Sequence, residues 1–301
     1  MNDISFRGPI VYFYQMKTIF INALIVSFFS ILLASCSQKE NTYPYHLIPR
    51  TWVYCIKQHN DSIYFSTSED GIFQFHPDHP EALRRVARVG RLPFRSMVFR
   101  ENGALFASSY YSGVYRLEKD TLLPVLWAQY PAWAMKQDAQ GALWLAGTRG
   151  VFFERSDSMI LFKALRDAHD IAFLGNEVAM AHMQGITVFN RDNGTCTAEY
   201  CKGVVCWAVN GYDSFLVAGG LGLCAVITKD GCRNIALVPK DNMVWSIEKD
   251  SHDTLFLGTQ KGLFRVAPGS GRAECIGFSG QCVKSLLIDK CGRLWTGRFY
   301  K

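Results

Sequence analysis

Leu143-Trp144-Leu145-Ala146-Gly147-Thr148-Arg149-Gly150-Val151-Phe152 and Leu255-Phe256-Leu257-Gly258-Thr259-Gln260-Lys261-Gly262-Leu263-Phe264 are two copies of one phrase. Looser copies end at Gly71, Gly113, Gly185 and Gly222, and a seventh begins at Leu294-Trp295-Thr296-Gly297-Arg298. Successive glycines at this point of the phrase lie 42, 37, 35, 37 and 40 residues apart. Periods in that range belong to arrays, solenoids and propellers.

Each unit reads as four short strands. In the sixth they run from Val244 to Glu248, Leu255 to Gly258, Gly262 to Ala267 and about Ala273 to Phe278. Turns such as Glu101-Asn102-Gly103, Asp192-Asn193-Gly194 and Lys229-Asp230-Gly231 hold residues that tolerate positive φ in tight hairpins. Helical repeats of this period would need paired helices of ten or more residues, and the frequent turn signals exclude them. Four strands per unit favour radial blades, so the fold class is all-β, a β-propeller. The count gives a seven-bladed ring: six complete blades and an incomplete last one that keeps its first hairpin, Val283 to Ile288 and Leu294 to Gly297. Tyr45 to Pro49 falls where an N-terminal strand could join that last blade as its fourth strand. The third strand would then fall after Lys301, so the ring is either slightly defective or the front part of a longer, C-terminally truncated product.

Residues 1–36 read as a signal segment. Lys17 precedes an apolar run from Thr18 to Leu33, and Leu33-Ala34-Ser35-Cys36 then supplies small residues before a cysteine. The run is shorter than the roughly 18 to 20 residues that span a bilayer. Cys36 resembles the acylated cysteine of bacterial lipoproteins, with Met16 as the native start. The expectation is an exported protein, periplasmic or at the outer membrane, held to the membrane by a lipid anchor, with residues 37–301 forming the propeller.

The net charge of +6 is spread over 32 basic and 26 acidic residues without a basic run, which argues against nucleic acid as a partner. No Cys-x-x-Cys pair exists and no histidine neighbours Cys196, Cys201 and Cys206, so no metal and no cofactor is expected. The cysteines beyond Cys36 read best as buried strand thiols.

Val244-Trp245-Ser246-Ile247-Glu248-Lys249-Asp250 followed by the Leu255–Phe264 phrase resembles the two-component regulator propeller repeat. Gly141-Ala142-Leu143-Trp144 and Gly292-Arg293-Leu294-Trp295 match it closely. The resemblance covers roughly residues 43 to 301. It implies the periplasmic sensor half of a Bacteroidetes hybrid two-component system, many of which detect glycan fragments. It also implies a membrane histidine kinase, or a separately encoded remainder of the sensor, as partner, since this chain contains no kinase.

One column departs from the repeat. Aligning inner strands on the hairpins that follow places Tyr54, Arg95, Trp133, Trp245 and Lys284 together, and shorter turns in units four and five bring in Asp170 and Trp207. The neighbouring column is small or aliphatic: Ser96, Ala134, Ala208, Ser246, Ser285. Packing explains the second column and not the first. In a propeller these positions open near the axis, where aromatic faces with a few charges suit an oligosaccharide or another small molecule. The second-to-third-strand loops add Tyr110, Tyr111, Arg149, His182, Gln260, Lys261 and Arg298 on the same face. The opposing reading is that the tryptophans are core and plug the channel.

Two other functions stay open. A hydrolase or lyase needs convergent carboxylates or a His–carboxylate pair, and the column offers only Asp170 beside His169. Asp138-Ala139-Gln140-Gly141-Ala142-Leu143-Trp144 carries one residue too many for a sialidase turn. The reading is therefore not an enzyme. A protein–protein interaction propeller lipoprotein is the alternative, although no Trp-Asp pair ends a strand.

Overall fold

The computed structural model describes residues 46–47, 52–68, 71–87 and 92–298, within a unit running from Pro44 to Lys301. Cys36 and the signal segment lie outside the described residues. Six antiparallel four-stranded sheets follow one another along the chain, each built from consecutive strands in order. The sixth runs Val244–Lys249, Leu255–Thr259, Gly262–Val266 and Glu274–Gly277, close to the boundaries its turn residues set. The protein is an all-β propeller with six four-stranded blades. Among the described residues there is no helix long and apolar enough to cross a membrane.

A further sheet has three strands. Val283–Ile288 pairs with Leu294–Arg298, which pairs in turn with His46–Leu47. The sequence suggested an outer, fourth strand at this point. Instead His46 lies opposite Trp295 and Leu47 opposite Thr296, in parallel. The N-terminal segment thus takes the edge of Leu294–Arg298 directly, in the place of a third strand. An unpaired row of backbone N–H and C=O groups is costly to leave uncovered. Val283–Ile288 also packs against the inner strands of both the sixth and the first blades, Val244–Lys249 and Val53–His59, so the inner strands form a closed circle.

The core is divided among the clefts between blades. Val217, Cys224 and Ile235 of the fifth blade pack on Val244, Leu257 and Phe264 of the sixth. Ala134, Trp144 and Val151 of the third pack on Ile171, Val178 and Met180 of the fourth. Trp295 fills the cleft between the three-stranded sheet and the first blade, against Phe65 and Phe75. Second strands such as Leu143–Gly147 and Leu255–Thr259 are buried along their whole length, because each face meets a neighbouring blade. The glycine that opens each third strand has a specific cause. Gly150 has φ +128, and a Cβ there would lie 2.2 Å from the Lys163 carbonyl oxygen, so only glycine fits without moving the fourth strand.

The Asp-to-Trp turn that invited comparison with sialidases is a structural clamp. Asp138 Oδ1 accepts from the Gln140 and Ala142 amides, and Oδ2 accepts from the Trp144 indole at 2.9 Å. Asp289 repeats this with the Cys291 and Arg293 amides and the Trp295 indole at 2.9 Å. Burial opposes ionisation of Asp289, but the Trp295 indole and Arg293 outweigh it and hold the carboxyl below its usual range. The thiols correct the expectation in part. Cys55, Cys206 and Cys224 are buried, whereas Cys196, Cys232, Cys275 and Cys291 are exposed, since they sit on outer strands or turns.

Candidate functional site at the channel mouth

An inner strand in this fold carries an irregularity near its start. Register jumps between Val53 and Cys55, Phe94 and Ser96, Cys206 and Ala208, Val244 and Ser246, and Val283 and Ser285. The skipped residues are Tyr54, Arg95, Trp207, Trp245 and Lys284. A bulge leaves one residue unpaired and re-aims its side chain. Here it turns the irregular column toward the axis. Trp133 holds the same place ahead of the Ala134–Ala146 pair, its amide donating to the Ala146 carbonyl at 2.7 Å.

In the fourth blade the skipped residue is His169, not Asp170, because the jump lies between Ala168 and Asp170. Phe173 pairs with Val178 there, whereas Lys249 pairs with Leu255 in the sixth blade, so this turn is shorter by a single residue. Asp170 belongs to the column of small residues and has a different task. Its carboxylate takes Lys136 Nζ at 3.1 Å, the Ile171 amide at 2.9 Å and the Val209 amide at 3.0 Å, tying three inner strands together. The equal turns Gly175-Asn176 and Asp213-Ser214 were the available signal, since the offset that finds Trp207 finds His169.

All seven expected residues and His169 line one cavity of about 140 Å³, with Ser96 and Ala134 completing the wall. Arg95 lies between two rings, 4.6 Å from the Tyr54 centroid and 4.5 Å from that of Trp133. Tyr110 rests on Trp133 at 3.9 Å, and Trp133 meets Trp207 edge-on at 5.4 Å. His169 is stacked on Trp207 at 3.7 Å, and Trp207 meets Trp245 at 5.2 Å. Lys284 Nζ lies 2.9 Å from the Trp245 ring centroid. Cation–π contacts of this kind hold a charge in place without neutralising it. The two readings of the tryptophans thus meet: the rings pack on one another and also wall a cavity.

The electrostatics follow from burial. Desolvation pushes Lys284 down to about 7, and repulsion from Arg95 adds to it. Desolvation also lowers Arg95 and His169, the latter opposed by a 2.7 Å hydrogen bond between its Nδ1 and the Cys206 carbonyl. Further along the axis Lys136 donates to the Val209 carbonyl and to Asn210 Oδ1. Nearby Glu248 is raised by burial to about 7, an effect that Lys57 and Lys136 oppose. This second tier was missed, although it lies three residues beyond the first along several inner strands (Lys57, Lys136, Asn210, Glu248).

The outer loops contribute less than expected. Tyr110 supports Trp133, and Tyr111 is 69% exposed. His182 is buried and bonded to Thr187 Oγ1 at 2.9 Å, Lys261 pairs with Asp241, and Arg298 donates to Gln281. None of Arg149, His182, Gln260, Lys261 or Arg298 lines the cavity. A larger groove of about 740 Å³ lies elsewhere, along the second and third blades. Its charges are matched internally, Arg100 with Glu154 and Arg116 with Glu118, so its size does not make it the better chemical site.

Solved structures share this architecture. The extracellular domain of BT4673 from B. thetaiotaomicron, assigned to a hybrid two-component system, is similar over 82% of this chain and 39% of its own, with 14% identity and a TM-score of 0.68. A second structure of that domain, assigned to a one-component system, gives a TM-score of 0.65 over 81% of this chain and 40% of its own, again at 14% identity. The WD40 β-propeller domain of Doa1 gives 0.71 at 10% identity, over 84% of this chain and 91% of its own. The chain spans about two-fifths of the BT4673 domains. At such identities the likeness shows the fold alone. No family model and no curated protein matches the sequence.

Proposed function

We propose that this chain is the ligand-binding propeller of an exported sensor of the two-component kind, recognising a glycan fragment at the mouth of its channel. One observation carries the reading: the residues that break the repeat, gathered from seven inner strands, converge on a single cavity. A protein selected only for packing has no use for Tyr, Arg, Trp, His and Lys at the one position where its neighbours are small. In this reading the three-stranded sheet is the seventh blade, and the likeness to the extracellular domain of BT4673 fits a sensing role. In this reading signal output belongs to a membrane histidine kinase. The site binds without turnover, because its carboxylate, Asp170, is committed to Lys136 and two amides.

Titration of the purified protein with a glycan panel by calorimetry tests the reading. Trp133→Ala and Trp245→Ala are each expected to weaken binding by about 1–2 kcal/mol, the scale of a lost aromatic contact. A loss of melting temperature with unchanged affinity in the folded fraction would assign both rings to packing alone.

The anchor is a separate proposal. Cys36 follows Leu-Ala-Ser and is the residue to be acylated. Cys36→Ala is expected to abolish palmitate incorporation and to release the protein from the membrane fraction. Persistent labelling of that variant would place the lipid elsewhere.

A further inference from the structure

The cavity at the channel mouth is poor in acceptors and rich in donors. Arg95 and Lys284 both line it, and among the described residues no carboxylate is paired with either. Arg95 Nε and Trp133 Nε1 are fully buried with no hydrogen-bond partner. A buried donor without an acceptor costs about as much as a lost hydrogen bond, and a buried charge without a counter-charge costs more. Trp245 Nε1 is likewise buried with no hydrogen-bond partner. His169 uses Nδ1 on the Cys206 carbonyl. Asp170, the carboxylate in the wall, is turned to Lys136 and to two backbone amides.

The cations are also held ready. Ring faces of Tyr54 and Trp133 on one side, and of Trp245 on the other, fix Arg95 and Lys284 without discharging them. Two like charges therefore face a space of about 140 Å³. That is below the roughly 300–1,000 Å³ of sites that enclose a whole organic ligand. It suits one small group at the end of a ligand. The larger groove differs in this respect, since its arginines already have carboxylate partners.

We infer that the channel mouth is an anion site that takes a carboxylate, sulfate or phosphate group between Arg95 and Lys284, with the Trp133 indole as a third donor. The inference rests on the reading of this cavity as the ligand site and names its ligand class: a sugar bearing an acidic substituent, whose neutral part stays above the aromatic rim.

Tryptophan fluorescence of the full chain, titrated at pH 6.5 and constant ionic strength, provides the test. The probes are sodium sulfate, sodium phosphate and sodium acetate, then glucuronate against glucose. At least one oxyanion is expected to saturate above a matched sodium chloride control, and which of the three does so identifies the group. Glucuronate, or the sugar carrying the preferred group, is expected to bind at least about tenfold tighter than glucose. Lys284→Met should remove the preference, and Trp133→Phe, which keeps the ring and loses the N–H, should weaken it severalfold. Thermal melts of both variants, run alongside, establish that they are folded. The inference is overturned if no oxyanion exceeds chloride, or if binding is unchanged in folded Lys284→Met. Neutral sugars binding as well as acidic ones would overturn it too, while leaving the glycan reading intact. Sulfate or phosphate binding with no sugar binding would uphold the anion site and remove the glycan reading.

Discussion

Trp144→Ala is expected to lower the unfolding free energy by about 3–5 kcal/mol, the range for removing a large aromatic side chain from a packed core. The indole is 2% exposed and fills the cleft between the third and fourth blades. Phe153, Phe162 and Phe173 lie around it with ring centroids at 5.2, 5.0 and 5.4 Å. Removing it also strips Asp138 Oδ2 of its indole donor at a buried position. Trp144→Phe keeps most of the volume and loses the N–H, so it should cost distinctly less. Equilibrium urea unfolding of the three proteins measures both steps. A loss below about 1 kcal/mol for the alanine variant would show that the clefts close around a cavity, and that the blades are less rigidly stacked than their burial implies.

The same tryptophan shows what could be read beforehand. Its place in the repeated phrase, between alternating apolar residues and before a glycine with positive φ, determines strand, turn and blade together. The boundaries in the sixth blade accordingly agree to within a residue or two. At the sheet left incomplete the joining segment was legible but its place was not, because His46–Leu47 contributes two residues in parallel and leaves no periodic trace. The site was legible only as a departure from the repeat. Such a departure is as precise as the alignment beneath it, so one miscounted turn substituted Asp170 for His169. The bulge that aims the column is a backbone event without a residue signature, since its positions hold Tyr, Arg, His, Trp and Lys alike. Nor could spacing reveal that Lys136, Asp170 and Asn210 are already bonded to one another and to the backbone, whereas Arg95 Nε and Trp133 Nε1 have no acceptor.

Stability near neutral pH is expected to be set against the fold by two channel residues of opposite sign. Lys284 falls from 10.5 to about 7, with burial as the main cause and Arg95 adding to it. Between those values the unfolded chain binds the proton and the folded one does not, so stability rises with pH. Over three and a half pH units, at about 1.4 kcal/mol each, the gain is at most about 5 kcal/mol. Glu248 rises from 4.5 to about 7 through burial, against the pull of Lys57 and Lys136. There the folded chain holds the proton that the unfolded chain has lost, and stability falls by at most about 3.5 kcal/mol between pH 4.5 and 7. The two slopes meet near pH 7, where both penalties are fully present. Lys284→Met should therefore exceed the wild type in stability below pH 7, with an advantage that shrinks toward pH 10. Glu248→Gln should gain its advantage as pH rises from 4.5 to 7 and keep it beyond. Urea unfolding at pH 5, 7 and 9.5, in buffers free of sulfate and phosphate, yields these differences directly. An advantage of Lys284→Met that does not change with pH would mean that the lysine finds a counter-charge in the folded protein. Adding the preferred anion to the wild type at pH 6.5 should recover part of the same energy, because it supplies the charge that the channel lacks.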